Sequence, residues 1–353
     1  MIKYLGSKRT LVPALGEMAT AVGARTAVDL FTGTTRVAQE FKRRGLEVTA
    51  ADLASYSQVL SDCFIATDAD ATDIAGLAAE IDRLDALPGV DGYVTRTFCE
   101  NARFFQPRNG RRIDAIRDAI ERDHPPGSPL RPLLLTSLLL AADRVDSTTG
   151  VQMAYLKQWA PRAQAALALR VPALLGGTGH TMHGDVMDTL DLLPAVDLAY
   201  VDPPYNQHRY FANYHVWETL VRWDAPEHYG IACKRVDVRE RRSVFNSRRT
   251  MPAAMTDVLA RVRAGVVVVS YNDESWISPE EMSASLRDAG HAVVGVLAFE
   301  RKRYVGAQIG IHNASGVKVG EVGRLRNVEY LFVAGEPEVV DAALRAGEPT
   351  LQR

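Results

Sequence analysis

Cysteine is scarce in this chain. Cys63, Cys99 and Cys233 are spread through 353 residues and no two of them form a C-x-x-C pair. No cysteine–histidine cluster takes its place, so no metal site is expected. An odd, scattered set of thiols suits a reducing compartment, and a cytoplasmic location is the expectation. Long apolar runs are missing as well. The longest, Leu133 to Ala142, is interrupted by Thr136 and Ser137 and stops at Asp143, well short of the roughly 18 residues that span a bilayer. Met1 to Gly6 hold no apolar secretion segment, so no membrane role is expected. Neither sign of charge dominates: the net charge is −2. A protein that merely coats nucleic acid is usually basic overall, so any such contact has to come from local patches. Two phosphate-binding signatures are absent. There is no G-x-x-x-x-G-K-[ST], and the turn at Gly33 carries one glycine where the dinucleotide fingerprint needs three.

The remaining composition, 47% hydrophobic and 24% charged, is that of an ordinary globular protein of one or two domains. Thr26 to Phe31 reads as a buried strand, followed by the Gly33 turn, a helix over 36–44 and a second strand over 46–50 that ends at Asp52. This is a βαβ beginning. Residues 68–170 differ, with helical periodicity over 69–87, 113–122, 130–145 and 153–169, separated by Pro- and Gly-containing breaks. The sheet resumes near Gly184-Asp185, with further strands at 196–201, 266–271, 292–299 and 328–334 and helices at 252–263 and 279–289 between them. Residues 304–323 read as a hairpin-like extension.

Three motifs point to chemistry. The apolar strand 196–201 delivers Asp202-Pro203-Pro204-Tyr205 into a crevice. Asp202 can accept a hydrogen bond from an exocyclic amine, and a prolyl carbonyl can accept its second hydrogen. The prolines bring no competing N–H, and Tyr205 can stack on a flat ring. The second motif is Asp29-Leu30-Phe31-Thr32-Gly33-Thr34-Thr35. Gly33 lets backbone approach a ligand closely, and Asp29 can meet a ligand's amino group. Asp52, ending the next strand, suits a pair of ribose hydroxyls. A ligand with a nucleoside and an amino acid but no phosphates fits these features, as S-adenosylmethionine does. The third is Lys3-Tyr4-Leu5-Gly6-Ser7-Lys8, where Tyr4 can pack on an aromatic group and Lys8 can pair with a carboxylate.

In order, KYLGSK, DLFTGT and DPPY resemble motifs X, I and IV of the Dam-like, alpha-group DNA adenine methyltransferases. The resemblance implies a class I S-adenosylmethionine-dependent methyltransferase fold, a Rossmann-like mixed sheet with a mostly helical insert. Residues 1–62 and 175–340 would form the catalytic domain, 63–174 the insert carrying target recognition, and 341–353 a C-terminal tail. Tyr4 and Lys8 would contact the cofactor. Asp29, Phe31 and Gly33 would line its methionine end, Asp52 would bind the ribose, and Asp185 and Val186 would sit beside its adenine. Asp202, Pro203, Pro204 and Tyr205 would hold the target base, with Asp202 also near the cofactor. One position departs from the family's F-x-G-x-G: Thr35 replaces the second glycine. A β-branched residue there is expected to keep φ below zero.

The implied reaction is methyl transfer to the 6-amino group of an adenine flipped out of double-stranded DNA, in a restriction–modification setting with a possible cognate endonuclease. Between 231 and 250 lie Lys234, Arg235, Arg239, Arg241, Arg242, Arg248 and Arg249 against Asp237 and Glu240, seven minus two or +5. Just after the base pocket, such a segment suits phosphate contact. Arg103, Arg108, Arg111 and Arg112 flank a turn over 106–110 and form a second basic group. Tyr210, Tyr214, His215 and Trp217 are candidates to fill the gap left by a flipped base, or to build core. Two alternatives stay open at this level: adenine methylation in RNA, and a non-catalytic nucleic-acid-binding protein on the same scaffold.

Overall fold

The computed structural model describes residues 2–3, 8–204, 210–241, 243–302 and 326–351. Among them, the strands are β1 (Thr26–Leu30), β2 (Glu47–Asp52), β3 (Gly179–His183), β4 (Val196–Val201), the short β5 (His228–Tyr229) and β6 (Lys234–Arg235), β7 (Ala264–Asn272), β8 (Val293–Lys302) and β9 (Arg326–Gly335). Seven of them form one sheet in the order β3-β2-β1-β4-β7-β9-β8. Pairing is parallel from β3 through β7, and β9 runs antiparallel to both of its neighbours.

The strands alternate apolar residues to both faces, as a sheet covered on two sides requires. Along β4, Leu198 and Tyr200 join one core while Ala199 and Val201 join the other. The helices are α1 (Val12–Ala21), α2 (Arg36–Arg43), α3 (Ser55–Ser61), α4 (Ile74–Asp85), α5 (Pro107–Asp123), α6 (Arg131–Val145), α7 (Val186–Thr189), α8 (Tyr210–Asn213), α9 (His215–Arg222), α10 (Met251–Arg261), α11 (Pro279–Asp288) and α12 (Pro337–Leu351). The core that contains Leu198 runs on without a break into Leu77, Phe98, Ile113 and Leu139 of residues 63–174.

Four expectations need correction. Residues 153–169 are not a helix. Pro161 interrupts them, and their backbone groups are taken by distant partners: Leu156 N–H by Ser147 O (2.9 Å), Ala160 N–H by Ser147 Oγ (3.1 Å) and Leu167 N–H by Asn109 Oδ1 (2.9 Å). Residues 106–110 are the start of α5 rather than a turn, with Pro107 in the first helical turn, where its missing N–H costs nothing. Residues 341–351 are not a tail. Through Leu351 they belong to α12, which buries Val340 and Ala343. The sheet resumes at β3, before Gly184; its Gly-His-Thr-Met-His sequence shows no apolar run because it is a half-exposed edge strand. Residues 304–323 lie outside the described residues.

Candidate active site

In an open parallel sheet, ligands bind beyond the carboxyl ends of the strands where the strand order reverses. Here that point lies between β1 and β4. Asp29 pairs in register with Tyr200, and Leu30 with Val201, so the Gly33 turn and Asp202 leave the sheet at the same level. One crevice is lined by Asp29, Phe31, Gly33, Asp52, Asp185, Val186 and Asp202, together with Lys8 and Pro204. Residues as far apart as Lys8 and Pro204, 196 positions, therefore meet at one place. Tyr4, Tyr205 and Arg242 lie outside the described residues.

The turn after β1 is tightly wound. Phe31, Gly33 and Thr35 have φ of 63°, 54° and 60°. The expectation for Thr35 was wrong: it adopts the left-handed conformation of the glycine it replaces. Its side chain offsets part of the strain. Oγ1 donates to Thr34 O (2.7 Å) and accepts from Gln39 Nε2 (2.7 Å), while Thr35 N donates to Thr32 O (2.8 Å). Asp29 braces the same turn: its Oδ2 accepts from Thr32 Oγ1 (2.7 Å) and Ala38 N (3.0 Å). Burial nevertheless pushes the Asp29 pKa up to about 7. Asp52 closes the other side, accepting from Gly33 N (2.8 Å) at Oδ2 and from Ala54 N (2.9 Å) at Oδ1. Burial raises its pKa too. Asp185 caps α7 through Met187 N (3.0 Å).

Asp202 has an asymmetric environment. Lys8 Nζ lies 2.9 Å from Oδ1, and Ser270 Oγ donates to the same oxygen at 2.9 Å. Oδ2 has no hydrogen-bond partner among the described residues, so it is the oxygen available to a donor in the crevice. Burial raises the Asp202 pKa, with Lys8 and Ser270 pulling it back. Burial also works against the Lys8 ammonium, but the Asp202 charge prevails and Lys8 stays above the usual lysine range. The 2.9 Å contact thus pairs the Lys8 ammonium with the Asp202 carboxylate.

The profile of the D12 class N6 adenine-specific DNA methyltransferases matches residues 4–284. The chain belongs to that family. Type II methyltransferase M.CviAII of Paramecium bursaria Chlorella virus 1 is 30% identical over 310 residues, covering 85% of this chain and 92% of that protein. Type II methyltransferase M.NlaIII of Neisseria lactamica is 30% identical over 292 residues, 78% of this chain and 85% of its own. Among solved structures, the O-methyltransferase TomG of Streptomyces achromogenes overlaps 95% of this chain and 82% of its own, at 11% identity and a TM-score of 0.30. Family membership makes the protein an adenine-specific DNA methyltransferase that uses S-adenosylmethionine, and its mixed, mostly parallel sheet has the class I order. Among the described residues no helix is long and apolar enough to cross a membrane, and no three His, Cys, Asp or Glu side chains are grouped to hold a metal ion.

The crevice also has lining residues that the motifs did not disclose. Tyr56, Tyr210, Phe211, Phe245 and Arg36 line the crevice. The Phe31 and Phe245 rings meet edge-to-face at 5.0 Å, and Ser270 reaches Asp202 from the end of β7. The last follows from register: β7 pairs Val269 with Val201 of β4, so Ser270 comes beside Asp202. The aromatics carry no local signal, because only the fold brings them to the crevice.

Most cations of the two basic segments are engaged within the protein. Arg235 is not available to phosphates. It is almost fully buried and holds Asp224 through Nη1 (2.6 Å) and Nη2 (2.7 Å) and Asp237 through Nε (3.0 Å). Arg241 pairs with the buried Glu218 at 3.0 Å, which also accepts from Ser55 Oγ (2.8 Å) and so ties this loop to α3. Arg239 lies over the Tyr229 ring at 3.9 Å, and Lys234 is half-buried. Arg248 and Arg249 are exposed. In the second group, Arg111 and Arg112 pair with Asp91 and Asp85, while Arg103 and Arg108 hold the carbonyls of Lys157 and Gln164. Tyr214, His215 and Trp217 are core residues.

Proposed function

We propose that Asp202 Oδ2 and the Pro203 carbonyl accept the two hydrogens of the target adenine amine. The amine is a weak nucleophile because its lone pair is delocalised into the ring. Two acceptors aligned with its N–H bonds localise that pair and aim it, so positioning and electrostatics supply the acceleration. When bound, S-adenosylmethionine supplies an electrophilic methyl group on sulfonium. Lys8 and Ser270 keep Asp202 ionised and fix its rotamer, leaving Oδ2 for the base. Tyr205 stacks on the extruded ring, recovering about 1–3 kcal/mol of the few that flipping costs.

In the same reading Asp52 takes the ribose hydroxyls, Asp185 and Val186 flank the cofactor's adenine, and Asp29 with Phe31 and Gly33 holds its methionine end. The crevice fits such a ligand: buried carboxylates suit hydroxyls and an ammonium, and Phe31 and Tyr56 offer apolar faces. Residues 63–174 serve target recognition, and Arg248 and Arg249 contact phosphate. The protein works in the cytoplasm, within restriction–modification and beside a cognate endonuclease, on a short site in duplex DNA.

The observation that carries the catalytic assignment is the one-sided saturation of Asp202 at the mouth of the Gly33 crevice. Asp202→Asn is expected to keep the fold and DNA binding while methyl transfer falls by about 10²–10⁴. Labelled-methyl incorporation into duplex DNA measures it, and undiminished transfer would refute the role.

A further inference from the structure

Four carboxylates line the crevice, Asp29, Asp52, Asp185 and Asp202, against two cationic side chains, Lys8 and Arg36. The anionic group of S-adenosylmethionine is its methionine carboxylate. Lys8 is the cation that the motif reading offers it, but Lys8 Nζ is 2.9 Å from Asp202 Oδ1. Spending the same ammonium on a second carboxylate would weaken its hold on the first.

Arg36 is differently placed. It is the first residue of α2, directly after the Gly33–Thr35 turn, and it is half-buried. Among the described residues no carboxylate pairs with it. The charges that reach it are those of Arg43 and Arg9, both positive, and burial together with these neighbours lowers its pKa. Other arginines of the same stretch are compensated. Arg43 pairs with Glu40 at 2.5 Å, and Arg44 pairs with Glu40 at 2.8 Å and Glu17 at 2.9 Å. A guanidinium partly removed from water and left beside like charges is unfavourable, and an anion in the crevice relieves it. The N-terminal end of the α2 dipole favours the same sign of ligand. The planar fork of arginine also matches a carboxylate in bidentate fashion.

We propose that Arg36 anchors the methionine carboxylate of S-adenosylmethionine, leaving Lys8 to serve Asp202. The proposal rests on the crevice being the cofactor site. A DNA phosphate is the other anion with this chemistry; the location of Arg36, beside Gly33 on the crevice wall, favours the cofactor.

The test pairs a protein change with a ligand change. Calorimetry measures S-adenosylhomocysteine and its decarboxylated analogue binding to the wild type, Arg36→Ala and Arg36→Lys. The wild type should bind the decarboxylated analogue about 10- to 100-fold more weakly than S-adenosylhomocysteine. Arg36→Ala should lose a similar factor for S-adenosylhomocysteine and almost nothing for the analogue, with Arg36→Lys in between. Equal loss for both ligands, or no loss for either, overturns the assignment to Arg36. Loss confined to the affinity for a duplex oligonucleotide, read by fluorescence anisotropy, assigns Arg36 to phosphate and overturns it as well. Absence of saturable S-adenosylhomocysteine binding by the wild type instead sinks the crevice reading beneath it. The lysine variant and thermal melts separate a specific loss from misfolding.

Discussion

Asp29 shows what the site asks of one residue. Its carboxyl is buried, and the two donors on Oδ2 do not fully compensate, so its pKa climbs from 3.8 to about 7. A raised folded-state value means that the stability contributed by the neutral form is complete below about pH 3.8 and is lost as pH rises through about 7. Above that the protein holds a buried anion suited to a ligand's ammonium. Asp29→Asn keeps an acceptor for Thr32 and Ala38 without the charge. It is expected to melt about 2–4 °C above the wild type at pH 8, with the advantage shrinking toward pH 5. Thermal melts across that range check it; a gap independent of pH would show that Asp29 is not the titrating group. That Asp29, Asp52 and Asp202 would gather at one crevice was legible in the chain, because each lies at or next to the end of a strand. How Asp202 is held was not, because Lys8 and Ser270 lie 194 and 68 positions away.

At the scale of elements, the strand–turn–helix from β1 to α2 combines local and tertiary control. Gly33 marks the turn, but Thr35 adopts φ 60° against its intrinsic preference, at a cost of about 1–2 kcal/mol. Its hydroxyl and the brace from Asp29 hold it there. Thr35→Gly removes the strain together with the hydrogen bonds, and its stability is expected within about 1 kcal/mol of the wild type. Thr35→Val keeps the strain and leaves Gln39 unpartnered, which should cost about 2–3 kcal/mol. Urea denaturation of both variants measures the contrast; equal costs would mean that the hydroxyl is immaterial. The segment 231–250 makes the opposite point. Its charge is obvious in sequence, yet Arg235 and Arg241 are occupied by Asp224, Asp237 and Glu218. Counting charges locates a basic stretch but does not tell which members remain exposed.

For the whole molecule, α12 matters most among the differences from expectation. It returns from β9 to pack along α1, where Gly347 comes so close to Met18 that a Cβ would sit 2.2 Å from its terminal methyl. With Val340 and Ala343 buried, it covers the core beneath the sheet. A chain ending after Glu336 is expected to lose about 3–6 kcal/mol, seen as a lower urea midpoint. An unchanged midpoint would show that α12 covers nothing of consequence. Because Met18 leads into the same core as the strands that carry the site, this loss should reach the crevice as well.

The chain by itself determined the α/β class, the order of the three motifs and the strand-end acids, since strand periodicity and turn chemistry are local properties. Only the folded molecule decided that Thr35 would take a glycine's backbone shape, that Arg235 would be buried between two aspartates, that residues 153–169 would surrender their helix to distant acceptors, and that one Asp202 oxygen would be filled and the other left open. Each of these depends on burial and pairing between residues far apart in sequence, which no window along the chain contains.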